Sequence, residues 1–358
     1  MSSLDYRNHA RAKPVQALVY RSVSRSEPAL EGITRGFVVK EMLKERDVVV
    51  PGVSSLVKCA ARRLNEREGG KDKWRYTRRH CVEVGFLSYL IAKEAKERGA
   101  HEARNLDPEL CFIGGVLHDI GKTFLPMSLV VKELGVNFLF FRFFQGARMS
   151  EVERRILRDE HLSAGTRYVR LFGGNGQIKT ILDMVGLHHV MYNGLDSVVP
   201  TYPKLFKGRD LPLHARIAKT ADFLSAVLPR HYRQDSWVLS FRTAIAYAAT
   251  VAGRELDPLA VRYFLTGTHD MEPEQADSLV ASMHHPKGQR GISDYDLMKA
   301  HIGDTMQNHG VFKESLSLWN LGRIEMYEDE TEKICNKSGF PPLHEVSPLS
   351  IKNKYAHA

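Results

Sequence analysis

Cysteine is scarce in this chain and nowhere closely paired. The four cysteines, Cys59, Cys81, Cys111 and Cys335, are widely spaced with no CxxC pair. That excludes a zinc ribbon and argues against a disulfide framework. No uninterrupted apolar run of about 18 residues occurs, so a membrane-spanning helix is not expected. The opening stretch MSSLDYRNHARAKP has no apolar signal core, and the expectation is a soluble, cytoplasmic protein in a reducing compartment. Internal repeats and low-complexity tracts are also missing, which sets aside solenoids and wholesale disorder.

What is present is an ordinary globular composition with a basic surplus. Of 358 residues, 43% are hydrophobic and 26% charged, enough to build a packed core. Lys and Arg outnumber Asp and Glu by 51 to 42, a formal charge of +9. Such a surface favours anionic partners without separating nucleic acid from small phosphates. No nucleic-acid-binding motif accompanies the charge, so nucleic acid is not the expected partner. Histidine is abundant, at 16 residues, and is the first sign of metal or acid–base chemistry.

Helical periodicity dominates from about residue 53 to 266. Asp107-Pro108, Ser150 with Glu153, and Asp257-Pro258 each place a capping side chain just before a helix. Helices are predicted over about 53–67, 74–98, 107–121, 150–171, 177–189, 211–228, 236–252 and 257–266. Without βαβ alternation the expected fold class is all-α. Three regions are expected: an N-terminal segment, 1–70, of unknown role; a main domain, 71–266; and a helical C-terminal appendage with an irregular tail, 267–358. Within the first region Gly36–Lys40 (GFVVK) and Asp47–Val50 (DVVV) read as short β-type runs.

Certain His and Asp residues fall on core-facing stripes. His80 shares a helical face with Val84, Leu87 and Ile91. His118-Asp119 closes the helix of Leu110, Gly114 and Leu117. His161 stacks with Leu157, Ala164, Gly165 and Tyr168, and His188 follows Ile181, Met184 and Val185. Asp222 is four residues from both Ala218 and Ala226. Burying titratable groups without partners is costly. Each alone is readily a hydrogen-bonded core residue; six from five helices are most simply explained by convergence on cations in a bundle core. Neighbouring helical residues point about 100° apart, so His118 and Asp119 reach one metal only near a helix end, where Gly121 fits. A carboxylate can bridge two cations about 3.5–4 Å apart, with a shared hydroxide as nucleophile. Imidazole and carboxylate without thiolate suit Fe, Mn or Zn. Lys122, four residues past His118, is placed to neutralise charge on a phosphoryl group if the helix continues.

The stretch His118–Lys122 reads HDIGK. It follows His80 and precedes His161 in HLSAG, the pair His188-His189, the run LPLHARIAKTADFLSAVLPRHYR and LDPLAVRYF. Over about residues 74–266 this order resembles the HD-GYP domain of bacterial phosphodiesterases that act on cyclic di-GMP. The resemblance implies an HD-type helical bundle and two divalent metal ions, Fe or Mn, held by His80, His118, Asp119, His161, His188, His189 and Asp222. His189 enters by resemblance alone. It also implies a catalytic pair, Asp119 and Lys122, and hydrolysis by attack of a metal-bridging hydroxide. Lys122, Arg142, Arg148, Asn193, Arg216 and Arg233 are the candidate substrate-binding residues.

The chain departs from the family where HHExxDGxGYP is expected. It reads HHVMYNGLDSVVP, with Val190 and Asn193 at the two acidic positions and no GYP. The Glu that holds a third ion in some members is replaced by Tyr76. An apparent insertion, FLFFRFFQGAR over 138–148, carries Arg142 and Arg148 and is expected to border the site mouth, either as a buried core element or as an apolar lid or docking patch. Two functions follow: a cyclic dinucleotide phosphodiesterase, or a catalytically weak metal-containing receptor that signals through a protein partner. A simpler HD nucleotidase is a third, weaker reading. The input signal is not specified by these motifs, and a dimer is compatible with them.

Overall fold

The computed structural model describes residues 34, 36–42, 51–65, 67–68, 71–72, 74–99, 101–127, 129–130, 150–174, 176–194, 206–227, 241–269 and 271–283, with single positions at 333 and 337. The described architecture is a helical bundle. Its helices are α1 (Val53–Leu64), α2 (Arg75–Glu97), α3 (Pro108–Leu117), α4 (Glu151–Arg170), α5 (Gly176–Leu187), α6 (Leu213–Val227), α7 (Phe241–Val251), α8 (Pro258–His269) and α9 (Pro273–Met283). A two-residue antiparallel ribbon, with Arg67 opposite Asp72 and Glu68 opposite Lys71, joins α1 to α2. Among the described residues no helix is long and apolar enough to cross a membrane.

The capping signals act as read. The Asp107 carboxylate accepts from the amides of Glu109 and Leu110 at 3.0 and 3.2 Å, with Pro108 in the first turn of α3. Ser150 and Glu153 form a reciprocal capping box at the start of α4. Asp257 accepts from the Leu259 amide at 3.0 Å ahead of α8. Each satisfies amide groups that a helix start leaves without an intrahelical partner.

Gly36–Lys40 is a correction. Residues 36–42 are helical rather than β-type. Val38 is 1% exposed in the core while Val39 is 49% exposed. Side-chain propensity is weak beside the gain from seating one apolar residue in a shared core. Asp47–Val50 lies outside the described residues.

Helix α2 is the spine. Cys81 and Val82 join a core with α1, α3, α4 and α5, whereas Val84, Leu87, Ile91, Ala92 and Ala95 join a second core with α6 to α9. Its tight crossing with α3 uses glycine on both sides. A Cβ on Gly115 would sit 2.7 Å from the Gly85 Cα, and one on Gly85 2.9 Å from the Phe112 carbonyl oxygen. The helices therefore approach more closely than side chains permit, which brings His80 on α2 beside His118 at the end of α3.

The described helices of both flanking regions pack into these cores. From α1, Leu56, Val57, Ala60 and Leu64 are buried in the first, and from α9, Ala276, Leu279 and Val280 are buried in the second. Arg63 at the end of α1 donates from Nε to the Thr123 hydroxyl and from Nη2 to the Thr123 carbonyl, both at 2.8 Å. It also pairs with Glu41 at 3.3 Å and lies 3.7 Å over the Phe124 ring. Thr123 and Phe124 belong to the turn that carries Lys122, so a residue from the N-terminal region grips that turn.

Candidate metal centre

Five helices deliver their polar groups to one point between the two cores. Helix α3 ends at Leu117, and the chain tightens into a 3-10 turn over Ile120–Phe124. His118 and Asp119 fall at that junction. The predicted helix to 121 is therefore broken four residues early, and Lys122 does not stack on His118. Its ammonium instead turns back to Asp119, 2.7 Å from Oδ2. The end of a helix frees carbonyls and relaxes backbone angles, which lets adjacent residues both point inward.

The turn also demands glycine. A Cβ on Gly121 would overlap the His161 carbonyl oxygen and lie 2.7 Å from the Gly165 nitrogen. Gly165 lies against Gly121 from α4, so the glycines of HDIGK and HLSAG form one backbone-to-backbone contact. That contact sets how near His161 comes to Asp119.

The distances define two halves around one carboxylate. Asp119 Oδ2 is 3.4 Å from His118 Nε2 and 3.6 Å from His80 Nε2. Asp119 Oδ1 is 3.3 Å from His161 Nε2 and 3.9 Å from His188 Nε2. Asp222 Oδ1 closes the first half, 3.2 Å from His80 Nε2 and 3.6 Å from His118 Nε2. His189 closes the second, its ring 4.2 Å from that of His188 and 5.2 Å from that of His161. His80, His118 and Asp222, and separately His161, His188 and His189, can each bring ligand atoms within 4.8 Å of one another.

The tautomers follow from the partners. Nδ1 of His118, His161 and His188 faces the carbonyls of Gly115, Leu157 and Val185 at 2.7, 2.8 and 3.0 Å. A carbonyl only accepts, so each Nδ1 carries the hydrogen and each Nε2 presents a lone pair to the centre. The buried Nε2 of His188 makes no hydrogen bond. His80 and His118 bring their Nε2 atoms within 3.2 Å of each other. Lone pairs that close, beside two carboxylates, call for a positive charge between them. The donor set and the unsatisfied His188 nitrogen thus fit a divalent metal.

Electrostatics agree with this arrangement. Burial alone would raise Asp119, but Lys122 and His118 hold it well below the usual carboxylate range. In the metal-free protein burial would likewise raise Asp222, yet the neighbouring His80 and His118 imidazoles hold it low. For His118 burial is outweighed by Asp119, and the imidazole is raised. Burial first, then His118, pushes His188 down from 6.5 to about 3. Burial with His188 also holds His189 well below its ordinary value.

A pH dependence of the metal-free protein follows. The unfolded chain takes up protons on these two imidazoles near 6.5, while the native state refuses them until far lower pH. Stability therefore falls as pH drops from about 6.5 toward 3. His118, held above its ordinary value, works in the opposite direction over this window, but it is one imidazole against two, and both aspartates, held low, stay ionised in the native state, so the net fall remains. The urea midpoint of metal-free protein is expected to be lower at pH 5 than at pH 6.5. Equal midpoints would mean that His188 and His189 are not held neutral.

The remaining candidate residues divide. Asn193 sits in a turn after His189, its amide donating to the Arg254 carbonyl at 2.9 Å. Val190, at the family's glutamate position, is 2% exposed and packs with Leu187, Leu211 and Ala215. Arg216, expected among the substrate groups, is a correction. It is 4% exposed, bonds the Leu211 carbonyl at 2.9 Å, and pairs with Asp257 and Glu102. Its guanidinium is taken up in joining α6 to the start of α8. Arg142, Arg148 and the whole of 138–148, Arg233, and the side chain of Tyr76 lie outside the described residues.

Sequence reasoning missed Ser225 and Glu83, which stand behind His80. The available signal was spacing: Ser225 is three residues past Asp222, and Glu83 three past His80, each on the same helical face as the ligand candidate.

Comparison with known proteins agrees with the geometry. Residues 77–227 match the HD domain family. The chain is also 25% identical over 213 residues to the cyclic di-GMP phosphodiesterase response regulator RpfG of Xanthomonas campestris pv. campestris (strain 8004). That similarity covers 59% of this chain and 47% of the relative, so the chain spans about half the relative's length.

Proposed function

We propose, from the match of residues 77–227 to the HD domain family, that the chain is a metal-dependent phosphodiesterase of HD-GYP type that opens a 3′–5′ phosphodiester of a cyclic dinucleotide. The observation that carries this reading is the Asp119 carboxylate, with one oxygen toward His80 and His118 and the other toward His161 and His188. His80, His118, Asp119, His161, His188, His189 and Asp222 would hold two divalent cations, Fe or Mn, which would supply Lewis acidity and an activated water at neutral pH. The protein's own part is to fix the imidazoles by their Nδ1 hydrogen bonds and to keep the carboxylates ionised. The Lys122 ammonium, 12% exposed and 2.7 Å from Asp119, is close enough to share charge developing on the phosphoryl oxygens.

The reading is tested with anaerobically purified protein loaded with Fe or Mn, incubated with cyclic di-GMP and with the mixed GMP–AMP cyclic dinucleotide. Slow opening to a linear dinucleotide is expected, with weaker base discrimination than a domain that keeps the GYP segment. Val190 offers no hydrogen bond there and Asn193 no charge. Lys122→Ala is expected to lower turnover by about a hundredfold or more, the scale for one preorganised electrostatic donor. Substrate affinity falls much less, because the lysine acts on charge that develops in the transition state.

The buried, apolar setting of Val190 favours a second reading, a metal-containing receptor that passes nucleotide binding to a protein partner. Tight binding of one cyclic dinucleotide with no product from any, in fully loaded protein, selects it.

A further inference from the structure

His80 is oriented differently from the other imidazoles of the centre. Backbone carbonyls hold His118, His161 and His188, whereas His80 Nδ1 faces the Ser225 hydroxyl at 3.1 Å. The Ser225 hydroxyl in turn donates to Glu83 Oε2 at 2.9 Å. The direction of this chain is fixed at its far end. A carboxylate only accepts, so the serine hydrogen points to Glu83, and the serine oxygen must accept from His80 Nδ1–H. Nε2 of His80 is thereby left with its lone pair toward His118 and Asp222.

We propose that Ser225 and Glu83 are positioning residues that set the tautomer and basicity of His80, and so tune the His80–His118–Asp222 half of the centre separately from the His161–His188–His189 half. The inference rests on the metal-centre reading above. Its physical basis is the crossing of α2 and α6. Helix α2 supplies both His80 and Glu83, and α6 supplies both Asp222 and Ser225. One helix pair thus provides two ligand candidates and the two groups that orient them. A carboxylate behind an imidazole raises its basicity through the shared hydrogen, and loss of such a partner costs about 10–100-fold in metal affinity. Ser225 is 1% exposed, so water does not readily take its place.

The test titrates metal-free protein with Mn(II) and follows bound ion by electron paramagnetic resonance and calorimetry, without any assay of turnover. Wild-type protein is expected to take up two ions. Ser225→Ala should weaken one of them by about 10–100-fold and leave the other unchanged. Ser225→Thr, which keeps the hydroxyl, should restore the affinity, and Glu83→Gln should weaken the same ion less than Ser225→Ala. In an Asp222→Ala background, where that half is already broken, Ser225→Ala should change nothing further. Two ions bound by Ser225→Ala with wild-type affinities would overturn the inference. So would equal weakening of both ions, which would point to general loosening of the helix crossing. Failure of wild-type protein to bind metal at all would instead remove the metal-centre reading.

Discussion

Asp119→Ala is expected to release both metal ions, not one, and to lower phosphodiester hydrolysis by at least about a thousandfold, the upper range for loss of one preorganised electrostatic group. Its two carboxylate oxygens face different halves. Oδ2 lies within 3.6 Å of the His80 and His118 nitrogens, and Oδ1 within 3.9 Å of those of His161 and His188. The substitution also strips Lys122 of its ion-pair partner. Asp119→Asn separates the contributions, because one oxygen remains while the amide presents hydrogens to the other set of lone pairs. That variant should keep at most one ion. Metal analysis after reconstitution with Mn or Fe reads both results, and full occupancy in Asp119→Ala would remove the shared-carboxylate assignment.

Gly121→Ala is expected to destabilise the protein by about 3 kcal/mol, the upper end for overpacking a close contact, and to weaken the His161–His188–His189 half. The added methyl would overlap the backbone oxygen of His161 itself, and backbone in the middle of α4 cannot swing aside as a side-chain end can. Relief requires the 3-10 turn and α4 to separate, which draws His161 from Asp119. Gly174→Ala is the control, since nothing lies within 4 Å of a Cβ there. Urea unfolding and metal titration together decide the matter. A Gly121→Ala protein of wild-type stability and metal content would show that the glycine contact does not set the spacing.

Much of the bundle was legible because its signals are local. The Asp107-Pro108 cap, the Ser150–Glu153 box and the Asp257-Pro258 start each depend on residues within one turn, and each begins a helix where read. The inward faces of His80, His118, His161 and Asp222 follow from 3.6-residue periodicity, which a sequence carries in full. GFVVK went the other way. Its β-branched residues suggest a strand, but the burial of Val38 in a core made by distant residues selects a helix.

Lys122 marks the boundary between the two kinds of information. Its nearness to the centre could be read from spacing, but its partner could not. Where α3 ends is settled by the contact of Gly121 with His161 and Gly165, 40 or more residues away in the chain, and that ending turns the ammonium onto Asp119 instead of stacking it above His118. Arg216 shows the same limit. A basic residue in a phosphohydrolase-like run reads as a phosphate contact, yet Glu102 and Asp257, one far before it and one well after, take up its charge.

The sequence by itself determined the helices, their caps, and which His and Asp residues face inward, because those properties repeat within a few residues. Only the tertiary structure decided that one carboxylate stands between two groups of imidazoles. It alone decided that Ser225 and Glu83 stand behind His80, and that Arg63 grips the turn bearing Lys122. Each of these depends on how closely two helices cross, and that distance is set by side-chain volumes meeting from opposite parts of the chain. Glycine at 85, 115, 121 and 165 is where those volumes vanish.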